Sequence, residues 1–154
     1  MPTPQQATDT VYGAFNTAWA VNSTYPVVWP NKKPDTEPMK QGNPWAFVRI
    51  AHKTGRQVSL PGVDGKRIWE RKGQLVCEIY TPSGEGTQAA YTLARLVELA
   101  FLGKTIHLAV GKTVVAGKTI DSVRFRAIQI KEGGIHGNWF LVTVTAEFEY
   151  DEIV

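Results

Sequence analysis

The chain has 154 residues, of which 43% are hydrophobic and 20% are charged, and its formal net charge is +3. This size and composition predict one folded domain over residues 1–154 and exclude general disorder. The small positive excess does not by itself indicate nucleic-acid binding. The single Cys77 excludes an internal disulfide, and no secretion signal or long apolar run is visible. We therefore expect a soluble protein of a reducing cytoplasm without a membrane partner.

The first half of the chain is predicted to contain one helix and two extended segments. Apolar residues at three- and four-residue spacing predict a helix over residues 5–21. The segment 25–31 is extended and lies between prolines, so it can form an edge strand at most. Residues 31–44 are polar and proline-rich, which predicts a loop. Residues 45–51 are apolar, aromatic and β-branched, which predicts a buried strand.

The middle of the chain is predicted to form a long β-excursion, a strand and a second helix. Residues 53–72 contain glycine turns between short extended runs. The alternation over residues 75–80 predicts a strand that directs Cys77 into the core. An apolar stripe predicts a helix over residues 87–102, with Thr87 as the expected N-cap. Gly103 supplies the usual helix stop.

The last third of the chain is predicted to consist of strands. Residues 106–110 and 114–116 flank a glycine turn, which predicts a hairpin. The apolar phase shifts at residue 128, which indicates a β-bulge. Residues 140–150 alternate cleanly, and the glycine-rich segment 133–138 is predicted to turn the chain into them. The whole order predicts an α+β domain with two main helices packed on a mostly antiparallel sheet.

Catalytic and ligand-binding signatures are missing from the sequence. It has no Gly-x-Ser-x-Gly, His-Glu-x-x-His or Cys-x-x-Cys motif. His52, His107 and His136 fall in separate predicted elements without a carboxylate at ligand spacing, so we expect no metal. Residues 83–87 are interpreted as a strand-to-helix turn, because Glu85 would repel a phosphate there. We expect no catalytic residue, no cofactor and no enzymatic activity.

The segment 53–72 carries an excess of positive charge around Trp69, whereas the C-terminal strand is acidic. The basic side chains could contact DNA phosphates while the apolar residues dock a protein. The segment could equally be a solvated hairpin, or its charges could meet the acidic end of an identical subunit in a ring. Reversing its charges is expected to leave the chain folded. The candidate contact residues are Lys53, Arg56, Lys66, Arg67, Trp69, Arg71 and Lys72.

Three segments carry a resemblance to a known family. They are PVVWPN at residues 26–31, PWAFVR at residues 44–49, and GQLVCEIYTPSGEGT at residues 73–87, which runs into the second predicted helix. Their succession resembles the tail-terminator-like family of long-tailed bacteriophages and related minor tail proteins. The likeness covers most of residues 11–102, and its motifs are structural rather than catalytic.

The resemblance implies a virion protein at the head-proximal end of the tail, assembled in the host cytoplasm. Such a subunit forms a ring, hexameric in this family, that caps the tail tube, ends its polymerisation and offers a surface to the head. The implied partners are further copies of the chain, the tail tube protein, a head–tail connector protein and genomic DNA in the lumen. A neck or head-completion protein and a nucleic-acid-binding module remain as alternatives.

Overall fold

The computed structural model describes residues 3–32, 42–53, 55–57, 67–108, 114–115, 118–119 and 122–153. These residues form two helices on one face of a seven-stranded, mostly antiparallel sheet, with a separate two-stranded ribbon. The predicted α+β class is therefore confirmed. The elements are α1 (Pro4–Asn22), β1 (Val27–Val28), β2 (Trp45–His52), β3 (Arg56–Gln57), β4 (Ile68–Pro82), α2 (Gln88–Phe101), β5 (Thr105–His107), β6 (Val114–Val115), β7 (Lys118–Thr119), β8 (Ser122–His136) and β9 (Trp139–Ile153).

Two long strands form the centre of the sheet. The strand order is β1-β2-β4-β9-β8-β5, and β3 also pairs with β4. Among the described strands, only the contact of β1 with β2 is parallel, and β1 lies at the edge that the flanking prolines predicted. Strands β4 and β9 pair along their whole length, from Ile68 opposite Ile153 to Pro82 opposite Trp139. Cys77 lies in this ladder and is fully buried, as expected.

Both helices bury the apolar stripe that the sequence predicted. Helix α1 begins with a reciprocal cap, in which the Gln6 N–H donates to the Thr3 hydroxyl and the Thr3 N–H donates to the Gln6 side chain. Helix α2 ends where Gly103 takes a positive φ of 63°. Thr87 is the N-cap residue of α2, as predicted, but its side chain makes no capping hydrogen bond, and its backbone carbonyl accepts from the Tyr91 N–H at 3.0 Å.

The β-structure after α2 differs from the predicted hairpin. Strand β5 pairs with β8, and the short β6 pairs with β7 rather than with β5. The predicted hairpin turn at residues 111–113 lies outside the described residues, as do residues 33–41 of the predicted loop. A local glycine signal cannot specify which of several later strands satisfies an open edge, and β8 is the longer partner.

Strand β8 contains the bulge that the phase shift predicted. Its register with β9 shifts between Phe125 and Ala127, and again between Glu132 and Gly134. The turn into β9 is shorter than predicted, because β8 continues to His136 and only two residues connect the strands. Gly137 in this turn has a positive φ of 61°, which favours glycine.

We predict opposite effects for alanine at two glycines. A Cβ at Gly73 would lie 2.6 Å from Cζ of Phe148, so Gly73→Ala should destabilise the fold by about 1–3 kcal/mol. A Cβ at Gly13 in α1 meets nothing within 4 Å, so Gly13→Ala should stabilise by about 0.5–1 kcal/mol. Urea unfolding midpoints measure both. Equal midpoints for the two variants would contradict the close approach of Phe148.

Candidate assembly surface

The candidate contact residues lie together at the end of the sheet where β4 begins and β9 ends. Lys53 directly follows β2, and Arg56 lies on β3. Arg67 precedes β4, whose first residues include Trp69, Arg71 and Lys72. Lys66 and the rest of residues 58–66 lie outside the described residues. The last residues of the basic excursion, 68–72, therefore begin the central strand β4, and Arg56 and Gln57 on β3 pair antiparallel with them.

Strand alternation divides these side chains between the two faces of the sheet. Arg71 lies in the row of the buried Tyr150, on the face that carries the helices, and pairs with Glu152 on β9. Lys72 lies opposite Glu149 on the helix-free face. The described basic residues therefore do not form a single solvated surface, because Arg71 and Lys72 lie on opposite faces of the sheet.

On the helix-free face, two arginines of β8 hold two buried acids of β9. Arg124 donates from Nε to Glu149 at 3.4 Å and from Nη2 to Asp151 at 3.3 Å. Arg126, the bulge residue, donates from Nε to Glu149 at 2.8 Å. Glu149 is 7% exposed and Asp151 is 2% exposed. Buried carboxylates need such partners, because an unpaired buried charge is strongly unfavourable.

The pairing decides the ionisation of Glu149. Burial alone would raise the pKa of its carboxyl, but the hydrogen bonds and positive charges of Arg126 and Arg124 outweigh burial and lower the pKa. The same bonds raise the pKa of the Arg126 guanidinium. Glu149 is therefore ionised at neutral pH and acts as a structural counter-ion.

Further ion pairs connect the basic segment to acids of the same chain. Lys53 Nζ lies 3.1 Å from Glu147 Oε1, and Arg56 Nε lies 3.3 Å from Glu70 Oε1. The pair of Lys72 with Glu70 is looser, at 3.8 Å. The opposite charges of the basic segment and the acidic strand thus meet within one subunit. Contact with a second subunit is not needed to explain their asymmetry.

The sequence did not predict that Arg124, Arg126, Glu149 and Asp151 form one cluster. Their signal was present, because basic residues alternate along β8 and acidic residues alternate along β9. Alternation puts each set on one face, but only the strand pairing brings the two sets together. Of the predicted contact residues, Arg67 is exposed and has no ion pair with another described residue.

The opposite end of the sheet is aromatic. Trp45 stacks on Tyr80 with ring centroids 4.2 Å apart, and Trp139 meets Trp45 edge-on at 6.1 Å. At this end lies an open cleft of about 670 Å³ between the end of α1 and the start of α2, beside the exposed Val21 and Tyr25. The two ends of the molecule therefore differ in chemistry, one being ion-paired and the other aromatic.

The structure places the three histidines apart. His52 Nε2 lies 3.0 Å from the Thr8 hydroxyl, and His136 Nε2 lies 2.8 Å from the Gly133 carbonyl oxygen. Burial and the positive charge of Arg71 lower the pKa of His52. Among the described residues, no group of three or more metal-binding side chains occurs.

Within the same residues, neither helix has the length and apolarity needed to cross a membrane.

Comparisons with known proteins show a shared fold. No family model and no curated protein matches the sequence. A solved protein that carries a sequence identifier as its name has a TM-score of 0.60 at 17% identity, covering 93% of this chain and 94% of that chain. A chain from the virion of a native gene transfer agent particle has a TM-score of 0.54 at 13% identity, covering 96% of this chain and 94% of that chain. The likeness spans nearly the whole of each chain.

We predict that Glu149 makes the fold sensitive to acid. Because its pKa in the folded chain lies below the ordinary 4.5, the stabilisation is complete above pH 4.5 and is lost as pH falls through the lowered pKa. Glu149→Gln should lower the free energy of unfolding by about 1–3 kcal/mol at pH 7, and the deficit should shrink in acid. Denaturant unfolding of both chains between about pH 2 and pH 7 measures how this difference in the free energy of unfolding depends on pH. Glu147→Gln, at a half-exposed pair, should cost less than about 1 kcal/mol.

We predict that charge reversal separates Arg67 from Arg71. Arg71→Glu should destabilise the fold by about 1–3 kcal/mol, because it would place a second carboxylate beside that of Glu152. Arg67→Glu should change stability by less than about 0.5 kcal/mol, since the side chain is exposed. Thermal and urea unfolding of both variants provide the comparison. The expectation that all basic residues of the segment tolerate reversal is thus amended for Arg71.

Proposed function

We propose that this chain is a structural protein of a phage-type virion. The observation that carries the proposal is the likeness of its fold, over 96% of the chain, to a chain from a gene transfer agent virion. The polar clusters on the described part of the sheet support the same class, because they are ion pairs that join neighbouring β-strands. A structural subunit needs a stable fold and surfaces for its partners.

Within this class, we propose a tail terminator. The three segments that resemble that family form β1, β2 and the stretch from β4 into α2, which are neighbours in the fold. A terminator has to contact unlike partners, a tube on one side and a head-side connector on the other. The ion-paired end and the aromatic end of this subunit offer two surfaces of different chemistry for that purpose.

The proposed mechanism is steric. Identical subunits close into a ring, of six in the family that the sequence resembles, and the ring binds the last layer of tube subunits. Further tube subunits then find no exposed template, so growth stops. The outward side of the ring presents a new surface to the connector. No bond is made or broken in this mechanism, and no cofactor is required.

A neck or head-completion protein is supported by the same fold likeness and remains the second candidate. Direct DNA binding is less favoured, because Lys53, Arg56, Arg71 and Lys72 already lie within 4 Å of acids of their own chain. Their net field on a phosphate backbone is correspondingly reduced.

We predict that loss of the protein abolishes control of tail length. Particles made without it should contain tubes longer than normal and filled heads without tails, because the growing end stays open. Tube lengths in negative-stain micrographs measure this, with particles complemented by the intact gene as the control. Tails of normal and uniform length joined to heads would contradict the terminator proposal, and headless normal tails would favour the neck candidate.

A further inference from the structure

We propose that neighbouring copies of this chain join edge to edge, with the open stretch of β8 in one copy pairing antiparallel to the open stretch of β2 in the next. The inference rests on the ring of the proposed function and names the backbone segments that meet in it. Both stretches belong to the described residues, and the partner that pairs with each of them is a second copy of this chain.

Both outer edges of the sheet are covered over only part of their length. Strand β5 covers β8 at residues 122–124, and β1 covers β2 at Ala46 and Phe47. Beyond those rungs, no strand of the described part of the chain pairs with either edge. An open edge presents N–H and C=O groups that another strand can bind. Residues 127–130 of β8 and 48–51 of β2 form the two open stretches, which have no strand partner among the described residues.

The two open stretches occupy the same rows of the sheet. Val48 lies opposite Cys77, which lies opposite Val144, which lies opposite Ile130. The same path joins Ile50 to Ile128 through Leu75 and Ala146, again one row across four strands. A copy placed beside the first at the same level therefore brings open residues opposite open residues.

Strand direction is also matched. Strands β2, β4, β9 and β8 alternate in direction, so β2 and β8 run in opposite senses. Rotation about an axis that runs along the strands keeps these senses unchanged. Strand β8 of one copy would therefore meet β2 of the next as an antiparallel pair, and the alternation of the sheet would continue across the joint.

The hydrogen-bonding phase is matched as well. The Ala46 N–H points away from β4, because it donates to the Pro26 carbonyl at 3.1 Å. By alternation, the backbone groups of Val48 and Ile50 also point outward from β2. Carrying the same alternation across the paired strands makes Ile128 and Ile130 the outward residues of β8. The joint thus brings together residues whose N–H and C=O groups face each other.

Side chains complete the match. On the helix face, Ile50, Ile128 and Ile130 are only partly buried in the single chain. The joint would place Ile130 beside Val48 and Ile128 beside Ile50, which removes apolar surface from water. On the other face, the exposed Arg49 would lie beside the exposed Gln129. Neither face opposes like charges.

The ends of the joint are set by existing features. Strand β1 occupies the edge of β2 in the row that leads to Lys131, and β8 breaks its register between Glu132 and Gly134. At the other end, the Phe125 N–H already donates to the Lys104 carbonyl at 3.0 Å. The pairing is therefore confined to a short window, and this short window limits its strength.

One outward backbone group of β2, that of Ile50, already has a hydrogen-bond partner in the single chain. The Ile50 backbone interacts with the hydroxyl of Tyr12, which projects from α1. Pairing with a second copy would displace this hydroxyl. Free chains should therefore join only transiently, and a stable ring would need further contacts such as those with a tube.

Disulfide trapping tests the joint on the purified full-length chain. Arg49 and Gln129 form a non-hydrogen-bonded pair across it, with Cα atoms about 4.5 Å apart, within the range of a disulfide. The double variant Arg49→Cys with Gln129→Cys should give covalent dimers and higher oligomers on oxidation, whereas each single variant should not give the oligomer ladder. Cys77 is fully buried and contributes little background.

The matched control shifts the register. Arg49→Cys with Lys131→Cys keeps both thiols on the same face but two rows apart, so its cross-linked fraction should be about tenfold lower. Adding Tyr12→Phe to the first pair should accelerate cross-linking, because no hydroxyl competes for Ile50. Equal cross-linking of both pairs, or none, would overturn the joint. Tube capping by the wild type without cross-linking would leave the proposed function intact, and cross-linking without capping would leave only the joint.

Discussion

Pairing of β4 with β9 is the constraint on which the rest of the structure depends. The two strands match over 15 residues each, from the charged end of the sheet to the aromatic end. Strand β2 attaches to one side of this ladder and β8 to the other. A slip of β9 by one residue against β4 would turn Val144 out of the core on the helix face and bring Glu149 into it. Burial on the helix face therefore fixes the register for both faces.

The charged cluster is a consequence of that register rather than an independent feature. Once β9 is aligned, Glu149 and Asp151 lie on the helix-free face beside β8, where Arg124 can reach both. The bulge in β8 turns Arg126 towards the same carboxylate. Surface ion pairs usually stabilise by less than about 1 kcal/mol, but these two acids are buried, so their partners are needed to keep them charged.

The sequence predicted the features that depend on local periodicity. Both helices, the strand containing Cys77, the bulge in β8 and the α+β class follow from spacing and alternation, which are properties of one segment at a time. It did not predict that β5 pairs with β8, or that residues 68–72 of the basic segment begin the central strand, because these features depend on contacts between distant segments. From the sequence, Arg71 was expected to be a surface charge, whereas the pairing of β4 with β9 places it beside Glu152. The candidate contact residues were thus chosen by residue type, and only the fold shows on which face each lies and which acid it pairs with.

The length of the central ladder has a further consequence for the size of the molecule. At roughly 3.3 Å per residue, a strand of 15 residues spans about 50 Å. The sheet is thus a rigid spacer that holds its two dissimilar ends apart by a distance fixed in the backbone itself. Insertions in loops would leave this spacing unchanged, whereas adding a pair of residues to both strands would lengthen it by about 7 Å. The separation between whatever binds at either end is therefore encoded by strand length alone.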